Sequence, residues 1–194
     1  MIFINKVFKK DEIITIPNIL SMLRLALLPI ILWVYLGTEN IYAVLILMLI
    51  SGLTDILDGF IARKFNMSSN FGKIIDPIAD KCTQGTLFIC LGIKYPLMWV
   101  LLGIFIVKET VVSIMGCISI KRRKKVSGAK WYGKLNTVVI YCTIFILILF
   151  PSLPKAYANL LVFSSGITII LSWIMYVLLF KQLITQQVNP AVKN

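Results

Sequence analysis

The sequence predicts an all-α integral membrane protein: six transmembrane helices, an N-terminal interfacial amphipathic segment, and both termini in the cytoplasm. Three observations predict it. Of 194 residues, 59% are hydrophobic and only 14% charged, against roughly 25% charged in soluble domains. The apolar residues gather in runs close to the ~20 positions a helix needs to cross a hydrocarbon core. The basic residues segregate into alternate connections between those runs, as the positive-inside rule requires.

Residues 1–15 are weakly amphipathic and are expected to lie along the membrane surface. The first apolar run, 17–37, is too long and begins too late for a cleavable signal peptide, and it lacks a small-residue cleavage site, so it reads as a retained span. Gly37, Thr38, Glu39 and Asn40 make a turn into the second span, 40–62. Further spans are expected at 73–93, 96–119, 135–151 and 157–180, with Pro151 and Pro154 bracketing the last turn. No internal repeat, low-complexity tract or long linker interrupts the chain, so 1–194 reads as a single membrane domain. With the N-terminus inside, fifteen basic residues fall on the cytoplasmic side, seven of them between Lys121 and Lys134, and only Lys94 and Lys155 fall outside. Arg24, Lys81 and Lys108 remain in or at the edges of spans.

A net charge of +12 would suit nucleic acid, but these cations interleave with apolar spans and line no soluble face. An anionic lipid surface or a phosphorylated substrate fits better. Histidine is absent and Cys82, Cys90, Cys117 and Cys142 form no CxxC pair, which excludes a Cys/His zinc site and gives a disulfide framework no support. The cysteines read as small buried hydrophobes.

The acids carry the functional signal. There are eight, and four of them, Asp55, Asp58, Asp76 and Asp80, fall within one short stretch. Asp55 and Asp58 are three apart and Asp76 and Asp80 four apart, so each pair shares a helical face. In the topology above, the second span ends and the third begins on the cytoplasmic side, which brings both pairs to one depth. Four carboxylates under a low-dielectric roof repel one another unless cations neutralise them. An all-oxygen donor set selects hard ions, Mg²⁺ first and Mn²⁺ or Ca²⁺ behind it. Gly59 and Ala62 continue the face of Asp55, and Gly72 precedes Asp76 by one turn, leaving room for a flat or phosphorylated ligand, with Arg63 placed to fork onto phosphate oxygens. Each aspartate alone reads equally well as a solvated helix-end group or half of a salt bridge with Arg63, Lys73 or Lys81. Four in phase with glycines and an arginine read as a site.

The stretches "DILDGFIAR" and "GKIIDPIAD" resemble the signature of the CDP-alcohol phosphatidyltransferases, D-x2-D-G-x2-A-R followed by G-x3-D-x3-D. Asp55, Asp58, Gly59, Ala62, Arg63, Gly72, Asp76 and Asp80 fill every position. The six-helix layout and "IPNILSMLR" at 16–24 are similar to the family as well. The resemblance implies transfer of a phosphatidyl group from CDP-diacylglycerol to an alcohol with release of CMP. It implies that Asp55, Asp58 and Asp76 hold two Mg²⁺ ions, replaceable by Mn²⁺, with help from Asp80. Asp80 would also be the base for the acceptor hydroxyl, while Gly59, Ala62, Arg63 and Gly72, with Asp55, cradle the nucleotide. It further implies a homodimer in a bacterial cell membrane, for which Ser164, Ser165 and Gly166 offer a close-contact face.

For the acceptor, "KETVVS" at 108–113 resembles the R-E-x3-S/T segment of phosphatidylglycerophosphate synthases, which implies glycerol 3-phosphate bound by Arg24, Lys81, Lys108 and Lys134. Lys108 stands where arginine is usual, Gly116 and Cys117 stand where a later arginine is expected, and Asn136 replaces a second lysine. "SGLTDILDGFIAR" and "GKLNT" are also similar to cardiolipin synthases of the same fold, whose acceptor is phosphatidylglycerol. A six-helix cation transporter or lipid scramblase is the reading from another class, since intramembrane acids mark ion pathways.

Overall fold

A computed structural model describes residues 15–38, 40–65, 67, 69, 71–121 and 131–188. The expected surface segment 1–15, apart from Thr15, and most of the basic loop lie outside the described residues. Among the described residues six helices follow in order: α1 Ile16–Gly37, α2 Ile41–Lys64, α3 Gly72–Lys94, α4 Leu97–Lys121, α5 Trp131–Leu149 and α6 Lys155–Val188. Each overlaps one span expected from the sequence.

The helix ends follow from local chemistry. Pro17 opens α1, where its missing N–H leaves no donor unpaired. Asn40 caps α2 by accepting the Ala43 N–H at 3.1 Å, and Arg63 and Lys64 sit in its last turn, opposite the negative end of the helix dipole. Ser69 Oγ takes the Gly72 N–H at 2.8 Å, one of the α3 amides with no partner inside the helix.

Five of the six helices, all but α3, are long and apolar enough to cross a bilayer. At 22 residues, α1 extends ~33 Å, matching the hydrocarbon thickness. Large apolar side chains stand on the outer surface, among them Trp33 at 68% exposure, Tyr42 at 77% and Ile56 at 67%. Such a coat would aggregate in water and is stable against lipid tails. The chain is an integral membrane protein. The sixth span expected from the sequence does not meet the same measure: α3 carries Asp76, Asp80 and Lys81 in its first half, and these polar turns dilute its apolar content. Among the described cysteine side chains the expectation of burial holds for Cys90, and the Cys117 side chain lies outside them. Cys82 and Cys142 are exposed, which costs a thiol little where the exterior is hydrocarbon; all three are free.

The chain divides into two compact units, Met1–Cys90 and Leu91–Asn194. In the first, α1 packs on α2. Apolar burial comes from Leu28 and Ile31 of α1 and Val44 and Leu45 of α2, while α3 buries Ala79, Leu87 and Phe88. Beside them lies a buried polar row on α1, Asn18, Ser21 and Arg24, spaced i, i+3, i+6 and so on one face.

In the second unit α6 packs on both α4 and α5. Its buried residues Ala158, Val162, Ser165, Ile169 and Ser172 repeat every three or four positions, the period of a helix seam. Small residues let the backbones close in, and a hydroxyl pair, Thr143 Oγ1 to Ser165 Oγ at 2.8 Å, ties α5 to α6. Ser165 thus serves packing inside the chain; Ser164 is exposed and bonds back to the Leu161 carbonyl.

A Thr143→Val variant keeps the shape but strands the Ser165 hydroxyl. It should lower stability by about 0.6 kcal/mol and no more than about 1.7 kcal/mol, as typical of intramembrane hydrogen bonds. Adding Ser165→Ala should recover part of the loss, read by thermal unfolding in detergent as a double-mutant cycle.

Candidate active site

The polar centre of the first unit is assembled from three helix ends. Arg24 and Ser21 come from the first turns of α1, Asp55 and Asp58 from the last turns of α2, and Asp76 and Asp80 from the first turns of α3. Because the three helices follow one another up and down, those ends meet.

Arg24 is 1% exposed. Its Nη1 lies 2.7 Å from Asp55 Oδ1 and 2.5 Å from Asp80 Oδ1, and its Nη2 lies 2.5 Å from Asp58 Oδ2. Ser21 Oγ lies 2.6 Å from Asp76 Oδ1 and 3.1 Å from both Asp58 Oδ2 and the Pro17 carbonyl. A hydroxyl has one proton, so Ser21 can donate to one of these acceptors at a time, and the short contact to Asp76 is the natural recipient. Each of the four aspartates therefore touches Arg24 or Ser21, and Asp58 touches both.

The carboxylates differ in access. The Asp58 side chain is 6% exposed, those of Asp55 and Asp80 48% and 45%. Asp58 forms the floor and the other two the rim. Among the described residues, no group of three or more acidic or thiol side chains is drawn together as metal ligands; the Arg24 guanidinium stands between them. The donor set nevertheless fits hard cations. It is wholly oxygen, four carboxylates outnumber the Arg24 guanidinium and the Lys81 ammonium beside Asp80, and the buried Arg24 Nε has no hydrogen-bond partner, so the arrangement leaves an excess of negative charge and an unmatched donor.

The two glycines face different neighbours. A Cβ on Gly72 would stand 2.6 Å from Asn18 Oδ1 and 3.1 Å from Ser69 Oγ. These two side chains hydrogen-bond each other in both senses, at 2.9 and 3.1 Å. Gly72 is thus where α3 begins against α1 with no room for a methyl group. A Cβ on Gly59 would meet only the Arg63 guanidinium, at 3.4 Å. Nothing in the protein demands a glycine there, although alanine would favour the helix by about 1 kcal/mol. Arg63 is exposed and Ala62 half-buried, so Gly59, Ala62 and Arg63 form an open strip beside the carboxylates.

Residues 14–183 match the CDP-alcohol phosphatidyltransferase family. The chain belongs to that family. Among similar proteins is the CDP-diacylglycerol–glycerol-3-phosphate 3-phosphatidyltransferase of Aquifex aeolicus, 36% identical over 174 residues, covering 84% of this chain and 94% of the relative. A probable phosphatidylglycerophosphate synthase of Mycobacterium tuberculosis is 32% identical over 163 residues, 81% of this chain and 77% of the relative. A CMP-forming cardiolipin synthase of Streptomyces coelicolor is 43% identical, but over 76 residues, 37% of this chain and 35% of the relative.

Of the cations expected to meet an acceptor in this CDP-alcohol phosphatidyltransferase, Arg24 lies among the carboxylates of Asp55, Asp58 and Asp80, and Lys81 is half-buried next to Asp80 on α3. Lys108 and Lys134 belong to the second unit. Lys108 is 4% exposed, pairs with Glu109 at 2.6 Å and has its ammonium 5.9 Å from the Tyr176 ring centre. Lys134 is exposed at the start of α5. Sequence reasoning passed over Asn18, Ser21 and Ser69. The available signal was the i, i+3, i+6 row of polar residues in an otherwise apolar helix, which a membrane span carries only when neighbours satisfy it.

The glycine geometry separates two substitutions. Gly72→Ala should cost about 1–3 kcal/mol through overpacking, whereas Gly59→Ala should leave stability unchanged or slightly raised; thermal unfolding of the two purified variants reads the contrast.

Proposed function

We propose that this chain is the CDP-alcohol phosphatidyltransferase that joins the phosphatidyl group of CDP-diacylglycerol to glycerol 3-phosphate, giving phosphatidylglycerophosphate and CMP. The acceptor rests on one observation: the relatives covered over most of both chains carry phosphatidylglycerophosphate-forming names. We place the reaction at the cytoplasmic face of a bacterial cell membrane, with α3 crossing as a sixth span. Relatives from bacteria and the lysine- and arginine-rich segments of the sequence favour that orientation.

Asp55, Asp58, Asp76 and Asp80 would hold two Mg²⁺ ions, with Mn²⁺ as substitute. Bound there, the ions would neutralise charge on the diphosphate and on the departing CMP. Gly59 and Ala62 leave space for the nucleotide to lie against α2, and Arg63 offers its forked guanidinium to phosphate oxygens. Asp80, on the accessible rim, accepts the proton of the acceptor hydroxyl as that oxygen bonds to phosphorus and the bond from phosphorus to the CMP oxygen breaks. Arg24 and Lys81 are the cations of the first unit proposed for the acceptor phosphate.

The cardiolipin synthase likeness makes phosphatidylglycerol the second acceptor to examine. Membership of a transferase family favours group transfer over an ion pathway or scrambling. Purified protein given CDP-diacylglycerol, Mg²⁺ and a panel of acceptors should release CMP with glycerol 3-phosphate; release with phosphatidylglycerol alone would transfer the assignment to cardiolipin synthesis. In the same assay Asp80→Asn should lose about 10²–10⁴-fold in turnover while nucleotide still binds, since an amide cannot take the proton. Near-normal turnover would remove Asp80 from the role of base.

A further inference from the structure

We propose that Arg24 is a positioning residue that occupies the place of divalent cations: its guanidinium holds Asp55, Asp58 and Asp80 together in the metal-free protein and gives up Asp55 and Asp80 when a metal binds. The inference rests on the divalent-cation reading above and concerns the state that precedes loading.

The contacts are unequal in a way that singles out two of them. Asp58 is buried, receives an Arg24 nitrogen of its own, and lies beside Ser21. Asp55 and Asp80 share the single nitrogen Nη1, and both side chains are nearly half exposed. One N–H pair divided between two carboxylates on the rim is the part of the network a divalent ion can displace, while Nη2 on Asp58 can stay. The guanidinium is also incompletely satisfied, since its buried Nε finds no acceptor; a rearrangement around the Asp58 contact would give that donor a chance to bond. Without Arg24, four carboxylates from two helices would face one another across a low-dielectric gap with only the Ser21 hydroxyl from α1 among them, and mutual repulsion would push those helix ends apart.

An ordinary structural tie would look the same in a single set of coordinates, but the two roles respond differently to metal. A tie stabilises the protein equally with and without cations. A resident counter-ion stabilises the metal-free protein and opposes metal through like charge, so its removal makes the fold depend on the ion. The test is thermal unfolding of the full chain in detergent, first in chelator and then with Mn²⁺ or Mg²⁺, for the wild type, Arg24→Gln and Arg24→Lys. Arg24→Gln should have a lower Tm than wild type in chelator and a metal-induced rise at least twice that of wild type. Arg24→Lys, with the charge but no fork, should fall between them. A wild type that metal does not stabilise would sink the cation site itself, and this inference with it. A wild type that metal does stabilise, with a rise in Arg24→Gln equal to or below its own, would overturn the inference and leave the site standing. Should Arg24→Gln fail to fold in either condition, Arg24→Lys decides: a rise no larger than that of wild type overturns the proposal.

Discussion

A guanidinium enclosed by carboxylates is the interaction around which the first unit is arranged. Burying an arginine without partners is prohibitive, and bringing four aspartates together without a cation is equally so. Each group therefore requires the other. Arg24 is contributed by α1, Asp55 and Asp58 by α2, and Asp80 by α3, so satisfying the charges brings three helix ends to one point. In a membrane this matters more than in water, because apolar packing distinguishes poorly between a helix neighbour and lipid. The ion pairs and the Ser21 and Asn18 contacts supply the specificity that Leu-on-Leu packing lacks.

Much of this was legible in the residues and some of it was not. Long apolar runs fix helices by length, and every expected span overlaps a helix. The spacing of Asp55 with Asp58 and of Asp76 with Asp80 placed each pair on a face, and the up-and-down course of successive spans placed the pairs together. What spacing cannot supply is which residue from a third helix enters the cluster. An arginine in an apolar run has many possible anions, and it is the fold that sets Arg24 beside Asp55, Asp58 and Asp80. The apolar signal of α3 is weaker for a related reason: its first half carries Asp76, Asp80 and Lys81, so the acids that drew attention in the sequence also lower its apolar content.

Two glycines that sit alike in a sequence pattern turn out to answer different physical demands. Gly72 is small because Asn18 and Ser69, bonded to each other, fill the space a Cβ would take. That demand lies within the protein and acts on the start of α3. Gly59 faces a flexible guanidinium on an open strip of α2, where the fold would accept a methyl group. Its smallness fits the proposed approach of a nucleotide to that backbone. Side-chain clearance thus separates a glycine the fold requires from one it does not, a distinction the spacing alone does not make.

The second unit handles polar burial by another route. Two of its contacts tie helices through neutral groups, Thr143 on Ser165 and Thr168 near Asn136, and its buried lysine is matched by the adjacent Glu109. Neutral pairs satisfy a membrane interior at low electrostatic cost and leave little net charge to attract an ion. The first unit gathers four like charges against one guanidinium instead. Stability alone gives no reason for that choice, since neutral pairs would tie the same helices with less repulsion. The excess negative charge on those helix ends fits the divalent-cation site proposed for them.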